Sequence, residues 1–176
     1  MYCLKEVELE RTFLAKFLPP GLKACESIQV IDVYVPASER HPVLRIRQRG
    51  NKFEATKKVP VRGDTSVLAE NTIPLTGKEF EALSKCECKR VSKTRYFYAC
   101  NGRRAEVDVF GGALEGLVLV DFEFATPEEK EAFGKPEFCL VEVTHEEFLA
   151  GGFLCGKSYE DIRAGLTGLG YEKIIA

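Results

Sequence analysis

Carboxylates and cations in this 176-residue chain recur two positions apart, the spacing at which side chains of an extended strand point the same way. Glu6, Glu8 and Glu10 share one face while Val7 and Leu9 share the other. Arg45, Arg47 and Arg49 align opposite Leu44 and Ile46, Thr56 aligns with Lys58, and Lys93 aligns with Arg95. Glu106 and Asp108 alternate with Val107 and Val109, and Asp121 and Glu123 with Phe122 and Phe124. The wet side of a half-buried antiparallel sheet also alternates polar with apolar residues. That reading does not require charges sorted by sign, and here three of these rows carry acids alone and three carry bases alone. Like charges on one face repel, so the sorting points to a shared ligand. Carboxylates that offer only oxygen suit Mg²⁺ or Mn²⁺, which bind few protein oxygens together with substrate phosphates. Arginine binds phosphate oxygens through paired donors and lysine adds a point charge. Acids for metal and bases for phosphate are the two halves of a metal–phosphoanion site.

The elements that must position these charges are mostly strands. Runs at about 3–11, 27–35, 43–49, 52–59, 67–74, 91–100, 104–110 and 117–125 alternate or are rich in strand formers. Eight short strands with hairpin spacing predict a mainly β protein with peripheral helices (α+β), its antiparallel sheet closed into a barrel if the charged faces turn inward. Asn101-Gly102 between two of the runs is a hairpin signal. Other loops are expected at Pro19-Pro20-Gly21, Pro36–Pro42 and Arg62-Gly63-Asp64. Four short helices are expected to start at Thr76, Thr126, Thr144 and Ser158, each followed three residues later by an acid as in a capping box. Pro127 follows Thr126 at the first helical position, and Phe80, Leu83, Ile162, Leu166 and Leu169 supply apolar faces.

The ordered set of these segments resembles the CYTH superfamily, the triphosphate tunnel metalloenzymes. Glu8-Leu9-Glu10-Arg11-Thr12 is similar to the opening ExExK, and Arg45-Ile46-Arg47 followed by Thr56-Lys57-Lys58 to the RxR…TxK stretch. Glu70, Lys93-Thr94-Arg95, Glu106-Val107-Asp108, Asp121-Phe122-Glu123 and Glu142-Val143-Thr144 follow in the family's order, so the resemblance spans residues 6–144. It implies a single CYTH-like domain over 1–176, an eight-stranded antiparallel barrel enclosing a tunnel, and a helical C-terminal segment at 145–176. It further implies that Glu8, Glu10, Asp108, Asp121 and Glu123 hold Mg²⁺ or Mn²⁺, and that Arg45, Arg47, Lys58, Lys93 and Arg95 grip the triphosphate. Glu70 and Glu106 would line the tunnel as supporting or second-metal acids, acting with Glu8, Glu10 and Lys58 in catalysis. Two departures stand out: the family lysine falls on Thr12, and an acid often found after Glu70 falls on Thr72.

The expectation is therefore a metal-dependent hydrolase of tripolyphosphate, ATP or thiamine triphosphate, with inorganic tripolyphosphate favoured because no base-reading element is recognisable. The alternatives are a class IV-type adenylyl cyclase and a triphosphate binder without turnover, the latter motivated by Thr12. Composition agrees with a globular protein, with 45% apolar residues, 30% charged residues and a net charge of -2. A general nucleic-acid coat is not supported, and the basic stretch Arg45–Arg62 has only Phe53 for base stacking. Seven cysteines without a CxxC and two histidines argue against zinc and for reduced thiols in the cytoplasm. No signal-peptide block or run of membrane-spanning length is present, and the chain is expected to act as a monomer or homodimer. Residues 151–158, Gly-Gly-Phe-Leu-Cys-Gly-Lys-Ser, fit the P-loop expression but lack its strand–loop–helix setting, so a loop with Ser158 as helix cap is expected. His41 and His145 are expected in surface or capping roles, and Cys86 and Cys88 as ordinary filling.

Overall fold

The computed structural model describes residues 9–40, 44–61 and 64–175, with side chains described outside 58–70. Strands dominate the regular structure. They are β1 (Leu9–Ala15), β2 (Ser27–Val35), β3 (Leu44–Arg49), β4 (Lys52–Val61), β5 (Asp64–Leu75), β6 (Lys89–Cys100), β7 (Arg103–Phe110), β8 (Val118–Phe124) and β9 (Cys139–Glu142). The β6–β7 turn is the expected Asn101-Gly102, both residues left-handed at φ 50° and 74°, a conformation asparagine and glycine tolerate best. Helices are few: α1 (Gly77–Leu83), α2 (Pro127–Glu131), α3 (Gly151–Leu154) and α4 (Tyr159–Gly168). Thr76 and Ser158 form full capping boxes, and Thr126 accepts from the Glu129 amide with Pro127 in the first turn.

All nine strands join one antiparallel sheet in the order β5-β4-β3-β2-β6-β7-β8-β1-β9. This corrects the expected eight-stranded closed barrel, because among the described residues the sheet has a ninth strand and does not close. Over residues 12–15 the edge of β1 away from β8 is taken by the ninth strand and the residues after it. β9 pairs along it from Phe13 to Ala15, the Val143 amide donates to the Thr12 carbonyl at 2.8 Å, and the Thr12 amide donates to Thr144 Oγ1 at 3.1 Å. That recruitment also explains why Thr144 caps no helix: the following 3-10 turn starts only at Glu147. The expected first strand ran over 3–11, whereas β1 extends to Ala15, and residues 1–8 lie outside the described residues.

The sheet is curled, and its two faces are packed differently. On the convex side Phe13, Val107, Val118, Val120 and Phe122 are buried, with the Phe133 ring 4.5 Å from that of Phe122. On the concave side Leu14, Tyr34, Val91, Phe110 and Leu119 meet Val143, Leu149, Leu154, Ile162 and Leu166 of the C-terminal segment. Burying this apolar surface, at about 25 cal/mol per Å², fastens the segment over one part of the concave face. Tyr171 helps to fix it, its hydroxyl donating to the Gly116 carbonyl at 2.7 Å and accepting from the Val118 amide at 2.9 Å. Gly151 lies so close to Tyr34 that an added Cβ would sit 2.5 Å from the phenol oxygen. The rest of the concave face is left for charge.

Candidate functional site

The period-two rows converge on one cavity of about 1000 Å³. Glu10, Arg45, Arg47, Lys93, Arg95, Glu106, Asp108, Asp121 and Glu123, all expected from sequence, line it. The register accounts for this, because residues opposite one another across antiparallel strands face the same side. Glu10 faces Glu123, Thr12 faces Asp121, Arg95 faces Asp108, and Arg47 faces Asp32. Lys58 and Glu70 are partners across β4 and β5, with side chains outside the description, and Glu8 lies outside the described residues altogether.

The β6–β7 wall is internally neutralised. Asp108 is buried and accepts from Arg95 Nε at 2.6 Å, from Arg95 Nη2 at 2.7 Å and from Lys93 Nζ. Arg95 also donates to Glu106 and, at 3.3 Å, to Asp121. Burial alone would raise the Asp108 pKa, but the charges and hydrogen bonds of Lys93 and Arg95 outweigh it and hold the carboxyl below its usual range. The β1–β8 wall is the reverse. Burial, then the nearby Asp108 and Glu10 carboxylates, push the Asp121 pKa up against the pull of Lys93 and Arg95. Thr12 Oγ1 lies 2.8 Å from Asp121 Oδ1 and 3.4 Å from Glu10 Oε1, and its single proton goes to the nearer oxygen.

On the β2–β3 wall Arg47 donates to both oxygens of Asp32, from Nε at 2.6 Å and from Nη2 at 2.8 Å. Arg45, two residues along on the same face, has a buried Nε with no hydrogen-bond partner among the described residues. An unsatisfied buried cationic donor facing a cavity is a waiting anion contact, since leaving it unpaired costs about 1–3 kcal/mol or more. Arg49 lies at 3.7 Å from Glu106 with its side chain 42% exposed.

Asp32, Tyr34 and Glu54, together with His145, Glu146 and Glu147, also line the cavity and were not expected there. Asp32 interrupts the apolar run at residues 30–35, a signal that could have found it. Tyr34 is nearly buried, and burial first, then Asp32, push its phenol up to about 12, so it stays protonated near neutrality. His145 is exposed, as expected, but at the cavity's rim. Lys157 of the P-loop-like string lies apart from the cavity, and Ser158 caps α4 as anticipated.

The lining fits a divalent cation by its chemistry. Among the described residues its carboxylates outnumber lysine and arginine nine to five, an excess that would repel a polyphosphate unless a cation offsets it. The donors are oxygens, and the directly opposed Glu10 and Glu123 lie next to Asp121 on one face. Among the described residues no three His, Cys, Asp or Glu side chains form a ready cage. Magnesium seldom needs one, since it keeps several waters and takes the rest of its shell from substrate phosphates.

No protein-family model matches the chain. An inorganic triphosphatase from Nitrosomonas europaea is 33% identical over 142 residues, covering 80% of this chain and 91% of that protein. An inorganic triphosphatase from Acetivibrio thermocellus is 31% identical over 121 residues, covering 68% of this chain and 76% of that protein. The crystal structure of an inorganic triphosphatase superposes with a TM-score of 0.63 at 28% identity, covering 85% of this chain and 95% of that one.

Proposed function

The chain belongs to the CYTH superfamily, among its inorganic triphosphatases, and on that footing we propose that it hydrolyses inorganic tripolyphosphate to pyrophosphate and phosphate with Mg²⁺ or Mn²⁺. One observation carries the choice: a single cavity gathers the cationic rows of β3 and β6 and the acidic rows of β1, β7 and β8, with a buried, unsatisfied Arg45 Nε among them. Residues 1–176 act as one CYTH-like unit, in which the 145–176 segment covers part of the concave face.

Arg45, Arg47, Lys58, Lys93 and Arg95 grip the phosphate oxygens, Arg45 and Arg47 by paired donors, and Lys58, Lys93 and the already engaged Arg95 by their charge. The strand positions of the arginines are set before substrate arrives, so little reorganisation is needed when charge shifts onto the leaving pyrophosphate. Glu10, Asp121 and Glu123 hold the cation, and Glu8 continues the same row in sequence. Both Asp108 oxygens are engaged by Lys93 and Arg95, so its first task is to fix those two cations, and a share in the metal requires exchanging one of those bonds. Bound Mg²⁺ or Mn²⁺ supplies neutralisation of the phosphate oxygens. Glu106 and Glu70 line the path, with Glu106 tied to Arg95 and close to Arg49. Water adds at a terminal phosphorus while the bridging P–O bond breaks, the water's proton passes to a product phosphate oxygen or to solvent, and the anionic leaving group stays bound to the arginine rows.

The test is to incubate purified protein with tripolyphosphate, ATP or thiamine triphosphate plus Mg²⁺ or Mn²⁺. Metal-dependent phosphate release from tripolyphosphate is expected. Cyclic nucleotide formed from ATP would identify a cyclase instead. Tight binding without product, the outcome Thr12 would favour, would identify a sensor. Glu10→Gln and Glu123→Gln should abolish the metal response, and full activity in both variants would refute the metal assignment.

A further inference from the structure

The concave positions of β2 are Val30, Asp32 and Tyr34, and Asp32 stands directly opposite Arg47. Its side chain is 4% exposed. A carboxylate that deeply placed stays ionised only with a close cation and satisfied oxygens. Arg47 provides both, since its Nε and Nη2 each donate to a different Asp32 oxygen. Two parallel bonds to a planar guanidinium leave it no freedom to turn within its own plane. They occupy one edge and leave both Nη1 protons and one Nη2 proton on the edge away from Asp32. Arg45 has no such anchor, and its buried Nε lacks a partner among the described residues. Two arginines two residues apart on one strand are thus in different states: one aimed and half neutralised, the other unneutralised.

Building on the triphosphatase reading, we infer that Asp32 is a positioning residue for substrate binding. It fixes the edge that Arg47 presents to the phosphates and leaves Arg45 as the uncompensated anion contact. Asp32 touches no substrate itself and acts through Arg47. Its charge also separates Arg47 from the mutual repulsion of Arg45 and Lys93, which face the same cavity. Nothing in β2's own alternation announces this role, because it arises only from the β2–β3 register.

The experiment is a double-mutant cycle of Asp32→Asn and Arg47→Lys, read by tripolyphosphate KM and kcat and by Tm. Asp32→Asn is expected to raise KM about tenfold and to change kcat by less than about threefold. In the Arg47→Lys background the same substitution should shift KM by less than about twofold, because the group it acts through has gone. A purely structural role lowers Tm and leaves KM in place, so a folded Asp32→Asn protein with wild-type KM overturns the inference. Equal KM shifts in both backgrounds overturn it too. If Asp32→Asn does not fold, Asp32→Glu keeps the charge and displaces the carboxylate; a raised KM supports the role and an unchanged KM overturns it. Absence of tripolyphosphate turnover in the wild type would refute the proposed function instead. The cycle is then read by calorimetric Kd for tripolyphosphate, and an unchanged Kd in Asp32→Asn or Asp32→Glu overturns the role of Asp32.

Discussion

The two cationic strands of the cavity carry the same kind of residue in opposite circumstances. On β6, Lys93 and Arg95 are bound to Asp108, and Arg95 reaches Glu106 and Asp121 as well. On β3, Arg47 has one buried carboxylate, Arg45 Nε has no hydrogen-bond partner among the described residues, and Arg49 sits loosely beside Glu106. The β6 group completes a structure that is electrostatically settled without ligand. The β3 group leaves a positive charge that only an anion can settle. Sharing a cavity therefore does not make the cations equivalent, and variants on the two strands should separate stability from activity.

The largest effect is expected at Arg95. Arg95→Ala leaves Asp108, Glu106 and Asp121 without their common partner, and removing one side of a buried ion pair costs about 3–5 kcal/mol. Denaturant unfolding measures it, and a loss under about 1 kcal/mol would mean that the β6–β7 pairs hold little together. Arg45→Ala should do the converse. Stability should be kept or should rise, by up to about 1–3 kcal/mol as the unpaired buried donor is removed, while kcat/KM for tripolyphosphate falls about 100- to 1000-fold. An Arg45→Ala protein destabilised by several kcal/mol yet wild-type in its kinetics would erase the distinction between the strands.

The period-two rows were legible because strand geometry forces such residues onto one face, and the signs of those rows revealed what the face is for. The openness of the sheet was not legible. It depends on β9, whose four residues Cys139–Glu142 are too short to show alternation, and on the Thr144 hydroxyl. In sequence, Thr144-x-x-Glu147 is indistinguishable from a helix cap; only the facing edge of β1 decides otherwise. The end of β1 was misjudged because Phe13, Leu14 and Ala15 are buried whichever face they point to, which removes the alternation. Asp32 was missed for a related reason. A lone acid in an apolar strand acquires meaning from Arg47, fifteen residues away and brought opposite by the hairpin.

The acid response sharpens the β3 side of the comparison. Burial would raise the Asp32 pKa, but the hydrogen bonds and charge of Arg47, aided by Lys93 and Arg45, bring it below the ordinary value. A carboxyl with a depressed folded-state pKa binds fewer protons in the native than in the unfolded chain. Its stabilisation is complete above the unfolded value of about 3.9 and is lost as pH falls through the lower folded value. The stability difference between wild type and Asp32→Asn should hence be flat above about pH 5 and shrink below about pH 4. Denaturant midpoints across that range measure it. A difference that persists unchanged to pH 2 would show that the ionised carboxylate contributes nothing.

The smallest effect is expected on the acidic wall, at Thr12, where β1 carries a hydroxyl opposite Asp121. Thr12→Lys puts an ammonium within reach of Glu10, Asp121 and Glu123, a group whose members now raise one another's proton affinity or stand directly opposed. The ammonium relieves part of that repulsion and competes with a divalent cation for the same oxygens. The β1 backbone contacts to Val143 and Thr144 do not depend on the side chain at position 12, so the fold should be kept. The Mg²⁺ or Mn²⁺ concentration for half-maximal tripolyphosphate hydrolysis should rise about three- to tenfold, which corresponds to roughly 0.7–1.4 kcal/mol of competition. A metal titration of the initial rate, with Tm as the control for folding, decides it. If the metal requirement does not move, the side chain at position 12 does not reach the acids, and the contrast between an acidic wall that awaits a cation and a basic wall that awaits an anion loses one of its two sides.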